Sequence, residues 1–143
     1  MESAFWDTSA IVPLCVAQRG DVQVRNLAKA HKIVVWWGTS VEAISAFARL
    51  NRMQMMDSGQ LQYAHARLVR LRQGWNEVQP TSQVRQSAEN LLDRYELRAA
   101  DSLQLAAAYV WSLQRPKGRL FISGDKKLSE AARLLGFQVI AVS

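Results

Sequence analysis

Four of the chain's 12 acidic residues stand in apolar or small-residue surroundings: Asp7 in FWDTSA, Glu42 in SVEAIS, Asp101 in AADSLQLAAA and Asp125 in FISGDKKL. A carboxylate in such a context is partly desolvated, and desolvated carboxylates brought together repel unless they are protonated or bridged by a cation. Oxygen-only ligands suit Mg²⁺ or Mn²⁺, whereas zinc recruits Cys or His. The 2 histidines, His31 and His65, lie in helical patterns away from these acids, and the single cysteine, Cys15, lies in the apolar run IVPLCVA. A cation held by carboxylates orients a water, lowers its pKa and neutralises charge on a phosphodiester during in-line displacement. Such chemistry is that of a nuclease.

The acids can act together only if the fold gathers them. AFWD reads as a buried strand ending at Asp7, followed by a helix over AIVPLCVAQ with Pro13 in its first turn and Gly20 as its stop. VQVRNLAKAH reads as a second helix with Val22, Leu27 and Ala30 near one face, and IVVWW at 33–37 as a strand buried on both sides, the pattern of a parallel sheet. Thr39 and Glu42 form a Thr-x-x-Glu capping box opening a long helix through Ile44, Phe47, Ala48 and Leu50. Asp57 caps the next helix, through Leu61, Ala64, Leu68 and Leu71. Trp75 to Val78 is a short strand, and Pro80 and Thr81 precede a helix through Val84, Ala88, Leu91 and Tyr95. A further helix begins near Ala99. LFIS at 120–123, the helix KLSEAARLL stopped by Gly136, and the strand FQVIAV close the chain.

Strands alternating with helices predict an α/β domain with a mainly parallel sheet and right-handed crossovers. Ligands bind such sheets at the carboxyl ends of the strands, beside helix starts. Asp7 and Asp125 follow strands, while Glu42 and Asp101 lie in first turns, so all four can converge on one sheet edge. Each has a plainer reading too. Asp7 can cap a helix, Glu42 can serve the capping box, Asp101 can complement a helix dipole, and Asp125 can belong to a Ser-Gly-Asp turn. Their joint placement is what favours a site.

Other residues read as structural. Trp6, Trp36 and Trp37 adjoin strands and read as core or interface, and Met53, Met55 and Met56 as core filler or flexible contact surface. No Gly-rich phosphate cradle, Gly-x-Ser-x-Gly elbow or Cys and His pairing is present. A phosphotransfer hydrolase using Asp7 as nucleophile is a further reading, opposed by the lack of a second acid two residues on.

Composition bounds the rest. A chain of 143 residues with 49% hydrophobic and 21% charged residues predicts one domain over 1–143, and 7 Gly and 3 Pro exclude linker or collagenous classes. The N-terminus MESAFWD matches neither a signal peptide nor a transit sequence, and no apolar run approaches the roughly 18 residues of a membrane span. With one cysteine, these features predict a soluble, cytoplasmic protein. The formal net charge is +6, from 18 Lys and Arg against 12 acids; setting aside the four leaves 8. The picture is a small negative pocket in a basic surface able to attract a polyanion. Arg49, Arg52, Arg67, Arg70 and Arg72 form the densest basic group. Arg98, about one helical turn from Asp101, is a candidate RNA phosphate contact, with a salt bridge to Glu96 or Asp101 as the alternative.

With these blocks in place the chain resembles the PIN-domain family, and within it the VapC-type toxin ribonucleases of toxin–antitoxin pairs. FWDTSAIVPL resembles the family's opening strand, acid and helix, TSVEAISAFARL its second acidic block, LRAADSLQLAAA its third, and LFISGDKKLSEAARLLGFQVI its closing strand, acid, helix and strand. The resemblance implies a single PIN-like, Rossmann-like three-layer α/β domain, with a mainly parallel sheet of about four to five strands flanked by helices. It also implies a metal-dependent endoribonuclease, with Asp7 and Asp101 on Mg²⁺ (Mn²⁺ as substitute). Glu42 and Asp125 would complete the catalytic set directly or through water, and Ser9 and Ser123 would support it. Homodimerisation and inhibition by a cognate antitoxin are implied as well. The sequence departs from the family pattern in Ser123-Gly124-Asp125, where threonine is commoner first, and in Gln104, where histidine is frequent. The alternative function is a catalytically silent RNA-binding or protein-interaction module.

Overall fold

The computed structural model of the protein describes residues 1–16 and 22–142. Its apolar runs form five strands: β1 (Ser3–Trp6), β2 (Lys32–Trp36), β3 (Asn76–Val78), β4 (Leu120–Ser123) and β5 (Gln138–Ala141). They make one sheet in the order β3-β2-β1-β4-β5, and every pairing is parallel. The described helices are α1 (Thr8–Cys15), α2 (Val22–Ala30), α3 (Thr39–Arg52), α4 (Ser58–Gly74), α5 (Ser82–Arg94), α6 (Ala99–Trp111) and α7 (Lys126–Leu135). None is long and apolar enough to cross a membrane.

Strand geometry sends successive side chains to opposite faces. Ala4, Trp6, Val35, Leu120 and Ile122 pack into a cluster with α1, α2, α3 and α4, while Phe5, Val34, Trp36 and Phe121 pack into another with α5, α6 and α7. The strands read as unbroken apolar runs because both faces are covered. Phe5 stacks on Phe121 at 5.5 Å between ring centroids, and Phe137 meets Phe121 at 5.6 Å. Burying Leu68, Phe47 and Ile11 on the opposite face completes the three layers.

The chain builds the sheet outward from β1 through β2 to β3, then returns to the other side of β1 to add β4 and β5. The reversal falls between β1 and β4, and in open parallel sheets a crevice forms at the carboxyl ends of the strands flanking such a reversal. Asp7 and Asp125 follow those two strands.

Several expected boundaries move. Because α1 begins at Thr8, Pro13 lies in its second turn and offers no N–H to the Ser9 carbonyl. The expected stop at Gly20 lies outside the described residues. The buried side of α2 is Val24 with Leu27 and Ala28, whereas Val22 and Ala30 are exposed; the apolar stripe is offset, at i, i+3, i+4 from residue 24. Strand β2 stops at Trp36, and Trp37 leaves the sheet half-exposed, although its N–H still reaches the Val78 carbonyl at 3.0 Å. In α3 the core side is Ala43 and Phe47, and Ile44 is exposed. The capping box expected at Thr39 and Glu42 does not form: Gly38 is the N-cap and no side chain caps the helix. A reciprocal box forms instead at Asp57 and Gln60, opening α4. Gly136 does stop α7, at a φ of 123° that favours glycine.

Candidate active site

The crevice between β1 and β4 is built around Asp7. Its backbone N–H donates to the Ile122 carbonyl at 3.1 Å, tying the start of α1 to β4. Asp7 occupies the N-cap position of α1, yet its side chain makes no capping bond. The carboxylate turns instead to two serines, accepting from Ser9 Oγ at 2.6 Å and Ser123 Oγ at 2.9 Å. Each serine in turn accepts a backbone N–H, Ser9 from Gly124 at 2.7 Å and Ser123 from Asp125 at 3.0 Å. Gly124 is close-packed on its other side, where a Cβ would stand 3.3 Å from the Val142 carbonyl, against an ordinary contact of 3.5 Å to the Ser9 carbonyl and Oγ. Asp7 is 2% exposed. Burial pushes its carboxyl up to about 7 and the charge of Asp125 adds to the rise, against the two hydroxyls.

Glu42 reaches the same region from α3. Released from any capping role, its Oε1 accepts from Thr8 Oγ1 at 3.0 Å and Gln104 Nε2 at 3.3 Å. Gln104 Nε2 also lies 2.8 Å from Thr8 Oγ1 and 3.0 Å from Thr39 Oγ1. The amide is buried, and its Oε1 has no partner among the described residues. Burial raises the Glu42 carboxyl, and Asp101 adds to the rise; Thr8 and Gln104 oppose it. Asp101, in the first turn of α6, is raised by burial and then by Asp125, while Arg98 opposes.

Beyond the Ser-Gly-Asp turn expected of it, Asp125 has a capping role. It is the N-cap of α7, its Oδ1 accepting from the Leu128 N–H at 2.9 Å. Oδ2 takes no hydrogen bond from a described residue. Arg98 pairs with neither Glu96 nor Asp101 within salt-bridge distance; Glu96 meets Lys127 instead, at 4.0 Å.

Electrostatics therefore link the four acids in sequence: Asp125 acts on Asp7 and Asp101, and Asp101 acts on Glu42. Among the described residues none of the four forms an ion pair with a basic side chain. Nor do any three Asp, Glu, His or Cys side chains there form a ready-made ion cage. This donor set fits a hydrated Mg²⁺, which keeps several waters and takes one or two carboxylates, better than a cation needing an all-protein shell. A cation would also favour the ionised forms of the three carboxyls that burial raises first and neighbouring acids raise further. Asp101 and Asp125 line a cavity of about 770 Å³ with Arg98, Lys126 and Lys127. Another, of about 600 Å³, is lined by Val69, Arg72, Trp75 and Glu77 and holds none of the four acids.

Nothing in the local sequence marks Thr8 or Thr39 as supporting Glu42, and Gln104 stands out there only as a departure from a family pattern. One signal was available for Gln104: it follows Asp101 by three residues and so shares its helix face.

No family model matches the sequence, and no curated protein matches it significantly. Solved structures do. The chain is similar to FitAcB of Neisseria gonorrhoeae, with a TM-score of 0.66 at 16% identity over 96% of each chain. It is similar to PAE2754 of Pyrobaculum aerophilum, with a TM-score of 0.61 at 16% identity over 96% of this chain and 89% of that one. A chain of a toxin–antitoxin complex from Klebsiella pneumoniae matches with a TM-score of 0.58 at 19% identity, over 89% of this chain and 91% of its own. The fold is PIN-like. Its parallel five-stranded sheet between two helical layers is the architecture the resemblance implied. In this PIN-like frame, Asp7 and Asp125 flank the reversal of strand order, and Glu42 joins them through Thr8.

Proposed function

We propose that this chain is a Mg²⁺-dependent endoribonuclease and the toxin of a toxin–antitoxin pair. The observation that carries the reading is the linked set of carboxylates beside the carboxyl ends of β1 and β4, raised by burial and by one another without a basic ion-pair partner among the described residues. Asp7 and Asp101 hold the cation, Glu42 and Asp125 complete its surroundings directly or through water, and Mn²⁺ substitutes for Mg²⁺. When bound, such a cation neutralises phosphodiester charge and lowers the pKa of water.

The remaining steps belong to the chain's own residues. Ser9 and Ser123 fix both Asp7 oxygens and favour its ionised form. Thr8 and Gln104 hold Glu42 Oε1, leaving Oε2 to take a proton from the attacking water, and a raised carboxyl is a better base for that transfer. The water oxygen bonds to phosphorus as the bond to the 3′ oxygen breaks. The departing oxygen takes a proton from solvent, giving a 5′-phosphate and a 3′-hydroxyl. Arg98 binds a neighbouring phosphate.

The Klebsiella neighbour supports the toxin half of the reading, because that structure is a toxin–antitoxin complex. A protein antitoxin is the proposed inhibitor, and the family resemblance supports a homodimer. Exposed Met53, Met55 and Tyr63 supply apolar surface for a protein partner. The test is RNA cleavage with Mg²⁺ by the wild type, Asp7→Asn and Asp101→Asn. Each substitution should lower the rate at least about hundredfold, a barrier increase near 2.7 kcal/mol, and equal rates in all three overturn the proposal.

The capping bond of Asp125 favours the competing reading, a catalytically silent RNA-binding or protein-interaction module. That module would bind RNA more tightly once its acids were neutralised and would cut none.

A further inference from the structure

Two cavities open on either side of the first turn of α7. The larger, about 770 Å³, carries Arg98, Lys126 and Lys127 beside Asp101 and Asp125. The smaller, about 450 Å³, carries Lys126 and Arg133 beside Ser123 and Asp125. They share Asp125 and Lys126, so the helix start is the ridge between them, with Asp125 on that ridge and Asp101 in the larger cleft.

The cations lining both clefts are free to take another anion. Lys127 meets Glu96 at 4.0 Å with side chains 76% and 95% exposed, and Arg133 meets Glu130 at 3.7 Å with side chains 49% and 63% exposed. Such solvated pairs are worth about 0–1 kcal/mol and give way readily to a phosphate. Lys126 pairs with no acid among the described residues. The Asp125 side chain occupies the Leu128 N–H, while the N–H groups of Lys126 and Lys127 belong to a first turn that has no intrahelical acceptors. The joined clefts thus set four cations, with Glu96 and Glu130 as their exposed neighbours, beside Asp101 and Asp125.

We propose that a single-stranded RNA backbone crosses the start of α7 through both clefts. Lys126 holds a phosphate at the crossing, Arg98 and Lys127 hold the strand on one side, and Arg133 holds it on the other. The proposal rests on the endoribonuclease reading for which bond lies over the acids. An A-form duplex presents its phosphates on a broad cylinder and does not thread two clefts separated by one helix end.

The experiment uses the full chain carrying Asp101→Asn, which stops cutting, and a fluorescent unstructured RNA of about twelve nucleotides, within the span of single-strand sites. Its affinity is measured across a salt series for this parent and for added Lys126→Gln, Arg133→Gln or Arg72→Gln. Arg72 lines the separate cavity with Trp75 and Glu77 and serves as control. Lys126→Gln and Arg133→Gln should each weaken binding roughly three- to tenfold and lower the slope of log K against log salt by about 0.7 to 1, while Arg72→Gln changes neither. Parent-like affinity and slope in both cleft variants overturn the path, as does equal competition by a blunt RNA duplex. Cleavage by the chain with Asp101 intact is read separately. Cutting with unchanged cleft variants removes the path alone, whereas the expected binding losses without cutting remove the endoribonuclease reading alone.

Discussion

The Ser123 hydroxyl at the end of β4 donates to Asp7 Oδ2, just beyond the end of β1, over 2.9 Å. The bond spans the point where the sheet changes its direction of growth. A buried carboxylate there is costly on its own, and the two serines offset only part of that cost because burial dominates its elevated pKa. Asp7 is therefore held in place at the expense of stability.

That burial cost has a definite pH dependence. The Asp7 carboxyl lies near 3.8 when solvated and near 7 in the fold, so the folded chain binds the extra proton between those values. The stability this contributes is complete below about pH 4 and lost as pH rises through about 7, a change on the order of a few kcal/mol. Without divalent ions, the thermal midpoint should fall between pH 5 and pH 8, and Asp7→Asn should flatten the fall. Saturating Mg²⁺ should restore the midpoint at pH 8 more than at pH 5, by about 2.7 kcal/mol at a hundred times its Kd. Calorimetry at the two pH values, with and without Mg²⁺, checks both; a flat wild-type profile contradicts the assignment to Asp7.

Gln104 tests whether Glu42 must be held in position. Gln104→Leu removes the donor shared by Glu42, Thr8 and Thr39 and leaves the buried Thr39 hydroxyl without it, at a cost of about 1–3 kcal/mol. Under the endoribonuclease reading, kcat should fall by about tenfold with KM nearly unchanged, the pattern of an interaction that matters in the transition state. Gln104→His returns a ring N–H and should recover part of the loss. Steady-state kinetics on one RNA decide the matter, and a rise in KM at constant kcat points to substrate binding instead.

The two candidate helix caps should differ in the opposite sense to their sequence patterns. Asp57→Ala breaks a formed capping box and should cost about 1 kcal/mol of stability without touching RNA turnover. Glu42→Gln keeps the side-chain shape in a helix that it does not cap, so it should leave stability unchanged or raise it while abolishing turnover. Urea titrations alongside cleavage assays separate the two.

The strand order could not be deduced from local pattern, yet the strands themselves could. IVVWW and LFIS announce buried strands because β-branched and aromatic side chains favour a pleated surface covered on both sides, and the structure places Lys32–Trp36 and Leu120–Ser123 there. Trp37 and Val22 are exposed against their residue type for a common reason. Their residue types suit burial, but the end of a strand and the angular offset of a helix stripe depend on what packs against them.

Residue type and local spacing by themselves determined the alternation of strands and helices, the positions of Asp7, Glu42, Asp101 and Asp125 near element ends, and an oxygen-rich site without histidine or cysteine. Those properties follow from backbone periodicity and side-chain chemistry, which act over a few residues. Tertiary structure alone decided that Glu42 abandons the Thr39 box for Thr8, 34 residues away, and that Asp7 meets Ser123 across 116 residues. It also decided that Asp125 both caps a helix and raises two neighbouring carboxyls. Bonds across such separations exist only once the sheet is assembled, because packing of the two apolar layers, rather than any local preference, sets which side chains meet at its carboxyl edge.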